Sequence, residues 1–208
     1  MSARELLLLG AGGHAESCLD VIETTGAFDV VGLLGTPAEV GRMVLGQPVV
    51  GSDDALAAWV ARVPQVLVAV GQLGSASLRI RLFEAARAAG ARFPTIVSSR
   101  AHVSRHATLG EGTIVHHGAV VNAGARVGAN CIVNSLALVE HGATVGDHCH
   151  VSTGARLNSG VTVGEASFVG SGAVVRQLVR IGTRTVVGMG QVVTHDVADA
   201  TTLMTLRS

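Results

Sequence analysis

Residues 103–198 read VSRHAT LGEGTI VHHGAV VNAGAR VGANCI VNSLAL VEHGAT VGDHCH VSTGAR LNSGVT VGEASF VGSGAV VRQLVR IGTRTV VGMGQV VTHDVA, sixteen hexads without a break. Every hexad opens with Val, Leu or Ile. The fifth residue is small in all of them except at Gln191. A fixed short period of this kind marks a repeat architecture, not a helix or an ordinary alternating strand. The aliphatic first residue and the small fifth residue point into a narrow core, and Gly, Asn or Asp between them accommodates a corner. Three short strands close one triangular coil, so residues 18 apart stack. The sixteen hexads therefore predict a parallel β-helix of a little over five coils, with Cys131 over Cys149 as small apolar filler.

Upstream of the repeat the pattern changes. Glu5 to Leu9 reads as a buried strand, followed at once by Gly10-Ala11-Gly12-Gly13-His14-Ala15 and a helical stretch from about Ala15 to Thr24. A strand, a glycine turn and a helix start can present backbone N–H groups to a pyrophosphate without any lysine, although such turns also serve packing alone. Further strands are expected at Val30 to Leu34, Pro48 to Val50 and Val66 to Val70, with helices near Ser52 to Ala61 and Ser75 to Ala89. That alternation predicts a small parallel α/β sheet over residues 1–95, joined through Phe93 to Ala101 to a β-helix over residues 96–208. Leu33-Leu34-Gly35 stands where a dinucleotide domain needs a carboxylate for a ribose hydroxyl, which favours a nucleotide-sugar or a purely structural role over an NAD role.

Lys plus Arg and Asp plus Glu each number 15, so no net field draws the chain to nucleic acid or to an anionic membrane, and an anionic ligand must be held locally. The apolar runs are strand-length, short of the roughly 20 residues a membrane span needs, and no secretory leader is apparent, so a cytoplasmic location is expected. Cys18, Cys131 and Cys149 lack metal-type spacing, and no metal is expected.

Nine histidines accompany very few aromatic residues. His is the side chain best suited to move a proton near neutral pH. His102, His106, His116, His117 and His148 lie in or beside repeat turns and read as solvated. His141 follows Glu140 in VEHGAT at the third position, which is commonly polar in this repeat.

GAGGHA near the start, VAVGQ at Val68 to Gln72, and NSLALVEHGATVGDHCHVSTGARLNSG at Asn134 to Gly160 resemble the bacterial hexapeptide-repeat sugar-nucleotide acetyltransferases. That family includes 4-amino-sugar N-acetyltransferases and sialic acid O-acetyltransferases. The likeness spans nearly the whole chain. It implies a Rossmann-like α/β domain followed by a left-handed parallel β-helix, a homotrimer with active sites between subunits, and acetyl-CoA as co-substrate. It also implies a nucleotide-linked 4-amino-4,6-dideoxy sugar as acceptor, with GDP-perosamine favoured over sialic-acid-type O-acetylation. On this resemblance the general base falls on His141. The contact to the acetyl-CoA end falls on His150, the backbone donor to the thioester carbonyl on Ser159, and a further acetyl-CoA contact on Gln177. The sugar-nucleotide residues fall on Gly12, Gly13, His14, Leu34, Gly35, Gly71 and Gln72.

Many relatives carry an acid directly after the catalytic histidine, where this chain has Gly142, and some have acids for the nucleotide base where Leu34 and Gly35 stand. The ending Leu203 to Ser208 also departs from the usual Gly-Val-Pro-Ala. A base without a carboxylate partner suits a sugar amine better than a hydroxyl acceptor, because part of the amine is already unprotonated near neutral pH. Two other classes fit the same helix. A zinc hydratase would use His106 and His141, 35 residues apart, but Gly146 stands where its third ligand belongs. A non-catalytic trimeric scaffold would bind nucleotide without turnover.

Overall fold

The computed structural model describes residues 4–204, so only the first two residues of the Leu203–Ser208 ending fall within it. The chain forms two compact units. One runs to Gly71 and resumes over Ser77–Ser99; the other comprises Gln72–Ala76 and the chain from Arg100 onward.

The first unit is a sheet of five strands that begins with β1 (Arg4–Leu9), followed by α1 (Gly13–Thr25), β2 (Phe28–Gly35), β3 (Met43–Val44), β4 (Gln47–Ser52), α2 (Leu56–Arg62), β5 (Val66–Val68) and α3 (Ser77–Ala88). Strand order is β3-β4-β2-β1-β5, parallel except for the β3–β4 pair. That two-residue β3 was not legible, since Leu45 and Gly46 must both take positive φ to turn the chain back. Leu6 to Leu9 are 0–1 % exposed, as a strand covered on both faces requires. On α1, Ala15, Cys18, Leu19 and Ile22 recur at helical spacing and form its buried stripe. Burial pushes the Cys18 thiol up to about 12, so it is packing, not a nucleophile. Arg79 on α3 is almost wholly buried. Its Nη1 donates to the carbonyls of Val68, at 3.1 Å, and Val70, which ties the exit of β5 in place.

In the second unit each hexad contributes a two-residue strand made of its last residue and the next hexad's first. Strands 18 residues apart pair in parallel register, Val121 with Val139 and Val139 with Leu157, for example. The first residue of the hexad points inward and the last outward. Val115, Val133, Val139, Leu157 and Val175 are all fully buried. The fourth residue has positive φ in fourteen of the sixteen hexads, eight times as Gly and six times as Asn130, Leu136, His148, Ala166, Leu178 or Arg184. A left-handed residue at every corner is the physical reason for the glycine frequency.

The three corners differ in their fifth residues. One stacks Ala119, Ala137, Ala155 and Ala173, and another runs Thr113, Cys131, Cys149, Ser167, Thr185. Side chains in that second column donate to carbonyls: Thr113 Oγ1 to Gly128 at 2.7 Å, Cys131 Sγ to Gly146 at 3.1 Å, Cys149 Sγ to Gly164 at 3.1 Å. The two cysteines do share a column, as the period requires, but they work as weak donors as well as filler. Beside them stands a column of glycines in which any side chain would strike the next coil; a Cβ on Gly146 would lie 2.8 Å from Glu165 N.

Candidate active site

Parallel strands all point their carboxyl ends the same way, and ligands bind at that edge where successive connections diverge to opposite sides. Here the divergence is at β1, whose neighbours are β2 on one side and β5 on the other. The chain leaves β1 through Gly10–Gly13 and leaves β5 through Val70–Gly71. Gly10 has φ +115°, and a Cβ there would lie 2.6 Å from Val70 Cγ2, so this glycine is demanded by packing. Gly12 and Gly13 are different: a Cβ on either would meet nothing within 4 Å. Gly12 is the N-cap of α1 and makes no side-chain cap, so the start of the helix opens onto free space. Gly71 lies against His14, with 3.5 Å between its Cβ position and His14 Cβ. Gly12, Gly13, His14 and Gly71 are thus gathered at one place.

Leu34 is wholly buried and its carbonyl accepts the Gly10 N–H at 2.7 Å, so its side chain faces the core. Gly35 is closed to a side chain because Glu39 Oε2 lies 2.9 Å from its Cβ position and Ala11 Cβ lies 3.1 Å from it. The carboxylate that the sequence lacks at the end of β2 is therefore supplied four residues on. Glu39 is held by a capping box in which Thr36 N–H and Oγ1 each donate to Oε2 at 2.8 Å. Those bonds, the backbone one first, hold its carboxyl below the usual range. Asp53, beyond β4, is pushed the other way, mainly by burial and against the pull of Arg81. Thr36-Pro37-Ala38-Glu39 carried the signal for Glu39, through its capping-box spacing.

In the second unit, stacking at 18 residues sets His141, Ser159, Gln177 and His195 on one corner. Backbone bonds join the coils there: Gly160 N–H donates to His141 O at 3.1 Å, and Leu178 N–H to Ser159 O at 2.9 Å. Among the described residues the Ser159 N–H makes no hydrogen bond within the chain, and neither does that of Gln177 on the same corner or those of Ala123, Thr153 and Ser171 elsewhere, whereas the equivalent N–H groups of Ala129 and Thr183 are taken by Asp147 and Asp199. Gln177 is exposed and lines a cleft of about 510 Å³ with Arg176, Leu178, Thr194, His195 and Asp196.

His141 is paired. Its Nδ1 lies 2.9 Å from Glu140 Oε2, and its own backbone N–H donates to the same oxygen at 2.9 Å. Ser159 Oγ is 3.4 Å from Nδ1. The His141 backbone bond first, then its ring, and to a lesser extent the nearby Asn122 side chain, hold the Glu140 carboxyl below its usual range. The carboxylate missing at Gly142 is thus supplied by the preceding residue, so the lack of an acid there no longer argues for an amine over a hydroxyl acceptor. Adjacent residues on a strand point to opposite faces, but here the coil has already entered its turn.

His150 lies elsewhere on the coil, 4 % exposed. Asn134 Oδ1 accepts the Ser135 N–H at 2.8 Å, which turns the Asn134 amide nitrogen toward His150 Nε2 at 3.1 Å. His150 Nδ1 accordingly carries the proton and donates to Gln72 O at 2.8 Å. Phe168 packs edge-on at 5.2 Å between centroids. The Gln72 amide donates to Ala166 O and Ser167 O at 3.4 and 3.3 Å, so Gln72 is a buried tie within this unit. His116 and His148 are also buried, contrary to the expectation of solvated rings; His148 Nδ1 meets Asn130 Nδ2 at 3.0 Å. Gly146 has no room for the side chain a zinc hydratase would need there.

Among curated proteins no relative is found. Residues 5–86 match the family described as the PglD N-terminal domain. Among solved structures, a histidine-to-asparagine variant of perosamine N-acetyltransferase from Caulobacter crescentus, in complex with CoA and GDP-perosamine, is 34 % identical with a TM-score of 0.89. That match covers 95 % of this chain and 92 % of the other. The acetyltransferase domain of PglB from Neisseria gonorrhoeae, in complex with acetyl coenzyme A, is 31 % identical over 96 % of this chain and 95 % of that one, with a TM-score of 0.88. WeeI from Acinetobacter baumannii, at 20 % identity, 96 % coverage of both chains and a TM-score of 0.84, shares the fold. The coil is therefore the left-handed β-helix of the hexapeptide acetyltransferases. Agreement of this extent, end to end and through both units, leaves one conclusion: the chain belongs to the bacterial sugar-nucleotide acetyltransferases.

Proposed function

We propose that the protein transfers the acetyl group of acetyl-CoA to the 4-amino group of a nucleotide-linked 4-amino-4,6-dideoxy sugar, GDP-perosamine in particular. The observation that carries this reading is the corner where a paired histidine, His141, stands one coil from an N–H without a partner, Ser159. The amine attacks the thioester carbonyl and forms its C–N bond in a tetrahedral oxyanion, His141 Nε2 takes the proton the nitrogen loses and passes it to the sulfur as the C–S bond breaks, and CoA leaves as the thiol. Ser159 N–H meets the oxyanion, and the Gln177 cleft one coil on suits the rest of acetyl-CoA. Gly12, Gly13, His14 and Gly71 form the cradle for the sugar nucleotide's pyrophosphate, with Glu39 beside Gly35. His150 and Gln72, locked together, support the wall of the β-helix. Perosamine N-acetyltransferase from Caulobacter crescentus, at 34 % identity, supports the choice of acceptor.

His141 is 68 % exposed in the single chain, too wet for a site that must exclude water. On one sheet of the helix the outward column runs His102, Val120, Leu138, Arg156, Val174, Val192, apolar at four of its six positions, and Val192 is 70 % exposed. A homotrimer with acetyl-CoA bound between copies covers both. No helix among the described residues is long and apolar enough to cross a membrane. The test is thiol release from acetyl-CoA with GDP-perosamine, UDP-linked 4-amino sugars and sialic acid as acceptors. Turnover is expected with GDP-perosamine and a fall of roughly 10²–10⁴ in kcat for His141→Ala. Faster turnover of sialic acid would overturn the acceptor, and unchanged rates in His141→Ala would overturn the base.

A further inference from the structure

Outside the candidate residues, one polar chain stands out at the His141 corner: Asn122, Glu140 and His141 on two successive coils. Glu140 is engaged twice by the same neighbour, through the His141 backbone N–H and through Nδ1, both at 2.9 Å. That double engagement fixes the ring against the backbone and not merely beside an acid. Asn122, one coil earlier in the same column, also favours the ionised carboxylate. A carboxylate only accepts, so Nδ1 is the protonated nitrogen and Nε2 is left with its lone pair. Ser159, one coil on, offers only a hydroxyl at 3.4 Å, a poorer partner than the charged acceptor. On the other side of the ring, Gly142 has φ +68° and open space around its Cβ position, so no side chain there shares the task.

We propose that Glu140, braced by Asn122, is the positioning residue of this enzyme: it fixes the His141 tautomer and ring orientation so that Nε2 faces the acceptor amine. This rests on the reading of His141 as the base. Position 140 reaches Nδ1 directly, so the chain does without an acid at position 142.

The experiment compares wild type, Glu140→Gln, Asn122→Ala, His141→Asn and the double variant Glu140→Gln with Gly142→Asp. Each is measured by steady-state kinetics with acetyl-CoA and GDP-perosamine, thermal midpoint, and ¹⁵N chemical shifts of selectively labelled histidine above the ring's titration. Glu140→Gln is expected to lose about 10- to 100-fold in kcat with KM nearly unchanged, a part of what a general base supplies. Its thermal midpoint stays at the wild-type value and its His141 signals shift from one tautomer to a mixture. Asn122→Ala follows in the same direction to a smaller degree, and Gly142→Asp restores part of the loss. A single unchanged tautomer in Glu140→Gln, or wild-type kcat in that variant, would overturn the proposal. Full activity in His141→Asn would instead remove the base itself, while the ¹⁵N signals still report whether Glu140 sets the tautomer.

Discussion

If the glycine turn after β1 cradles the nucleotide as proposed, it separates folding from binding at neighbouring positions, and two alanine substitutions expose the difference. In Gly10→Ala the new Cβ lies 2.6 Å from Val70 Cγ2 and 3.1 Å from the backbone of Ala69 and Val70, at φ +115°. The conformation alone costs about 1–2 kcal/mol. Crowding against backbone, which no rotamer relieves, adds roughly 1–3 kcal/mol. A total of about 2–5 kcal/mol lowers the thermal midpoint by roughly 4–20 °C for a chain of this size. Gly12→Ala meets nothing within 4 Å and its φ of −88° suits alanine, so it should cost no more than about 1 kcal/mol, the preference for glycine over alanine at an N-cap. Its Cβ does intrude on the space in front of the α1 N-terminus. Differential scanning calorimetry with and without GDP, and titration calorimetry with GDP, read both effects. GDP binding is expected to weaken at least about tenfold, or about 1.4 kcal/mol, in Gly12→Ala. A Gly12→Ala protein that binds GDP as wild type does would refute the cradle, and an unshifted midpoint in Gly10→Ala would refute the packing argument.

Three further outcomes follow from other parts of the molecule. Arg79→Met removes the donor to the Val68 and Val70 carbonyls and leaves buried acceptors unmet; a loss of about 2–4 kcal/mol is expected by urea denaturation, and a loss under 0.5 kcal/mol would mean those carbonyls find other partners. Gly146→Ala puts a Cβ 2.8 Å from Glu165 N and should cost about 1–3 kcal/mol, whereas Gly74→Ala, with open space around it and no positive φ, should cost under about 0.5 kcal/mol; equal costs would contradict the stacking. Because Glu39 has a lowered pKa, its capping bonds stabilise the fold above its ordinary value of 4.5 and are lost as pH falls through the folded value. The advantage of wild type over Glu39→Gln, about 1 kcal/mol at pH 7, should therefore shrink below pH 4.5 in thermal melts; a gap that stays constant at acid pH would contradict it.

The coils were legible because a β-helix writes its register directly into the chain. Each hexad's aliphatic residue fills the core, and a period of 18 forces His141, Ser159 and Gln177 into line without any long-range inference. Position four in the left-handed region explains the glycines, yet Leu136 and Leu178 occupy it too, and no side-chain rule announces them. Glu140 was harder to read because only the turn geometry shows that its carboxylate folds back onto Nδ1. Glu39 was hidden for another reason. It replaces a residue at the end of β2 from four positions away, through a capping box whose spacing is a local helix signal and not a binding motif. His150 lay at a strand position where an outward side chain is ordinarily wet, and its burial depends on Gln72, 78 residues earlier, which no periodicity connects to it.

One measurement goes to the centre of the matter. Purified protein is incubated with acetyl-CoA and GDP-perosamine, and the sugar nucleotide is analysed by mass spectrometry and NMR. The predicted result is a product acetylated at the C4 nitrogen, formed catalytically by wild type and slowed by roughly 10²–10⁴ in His141→Ala. An acceptor recovered unmodified while GDP still binds, or an acetyl group found on a hydroxyl, would contradict it.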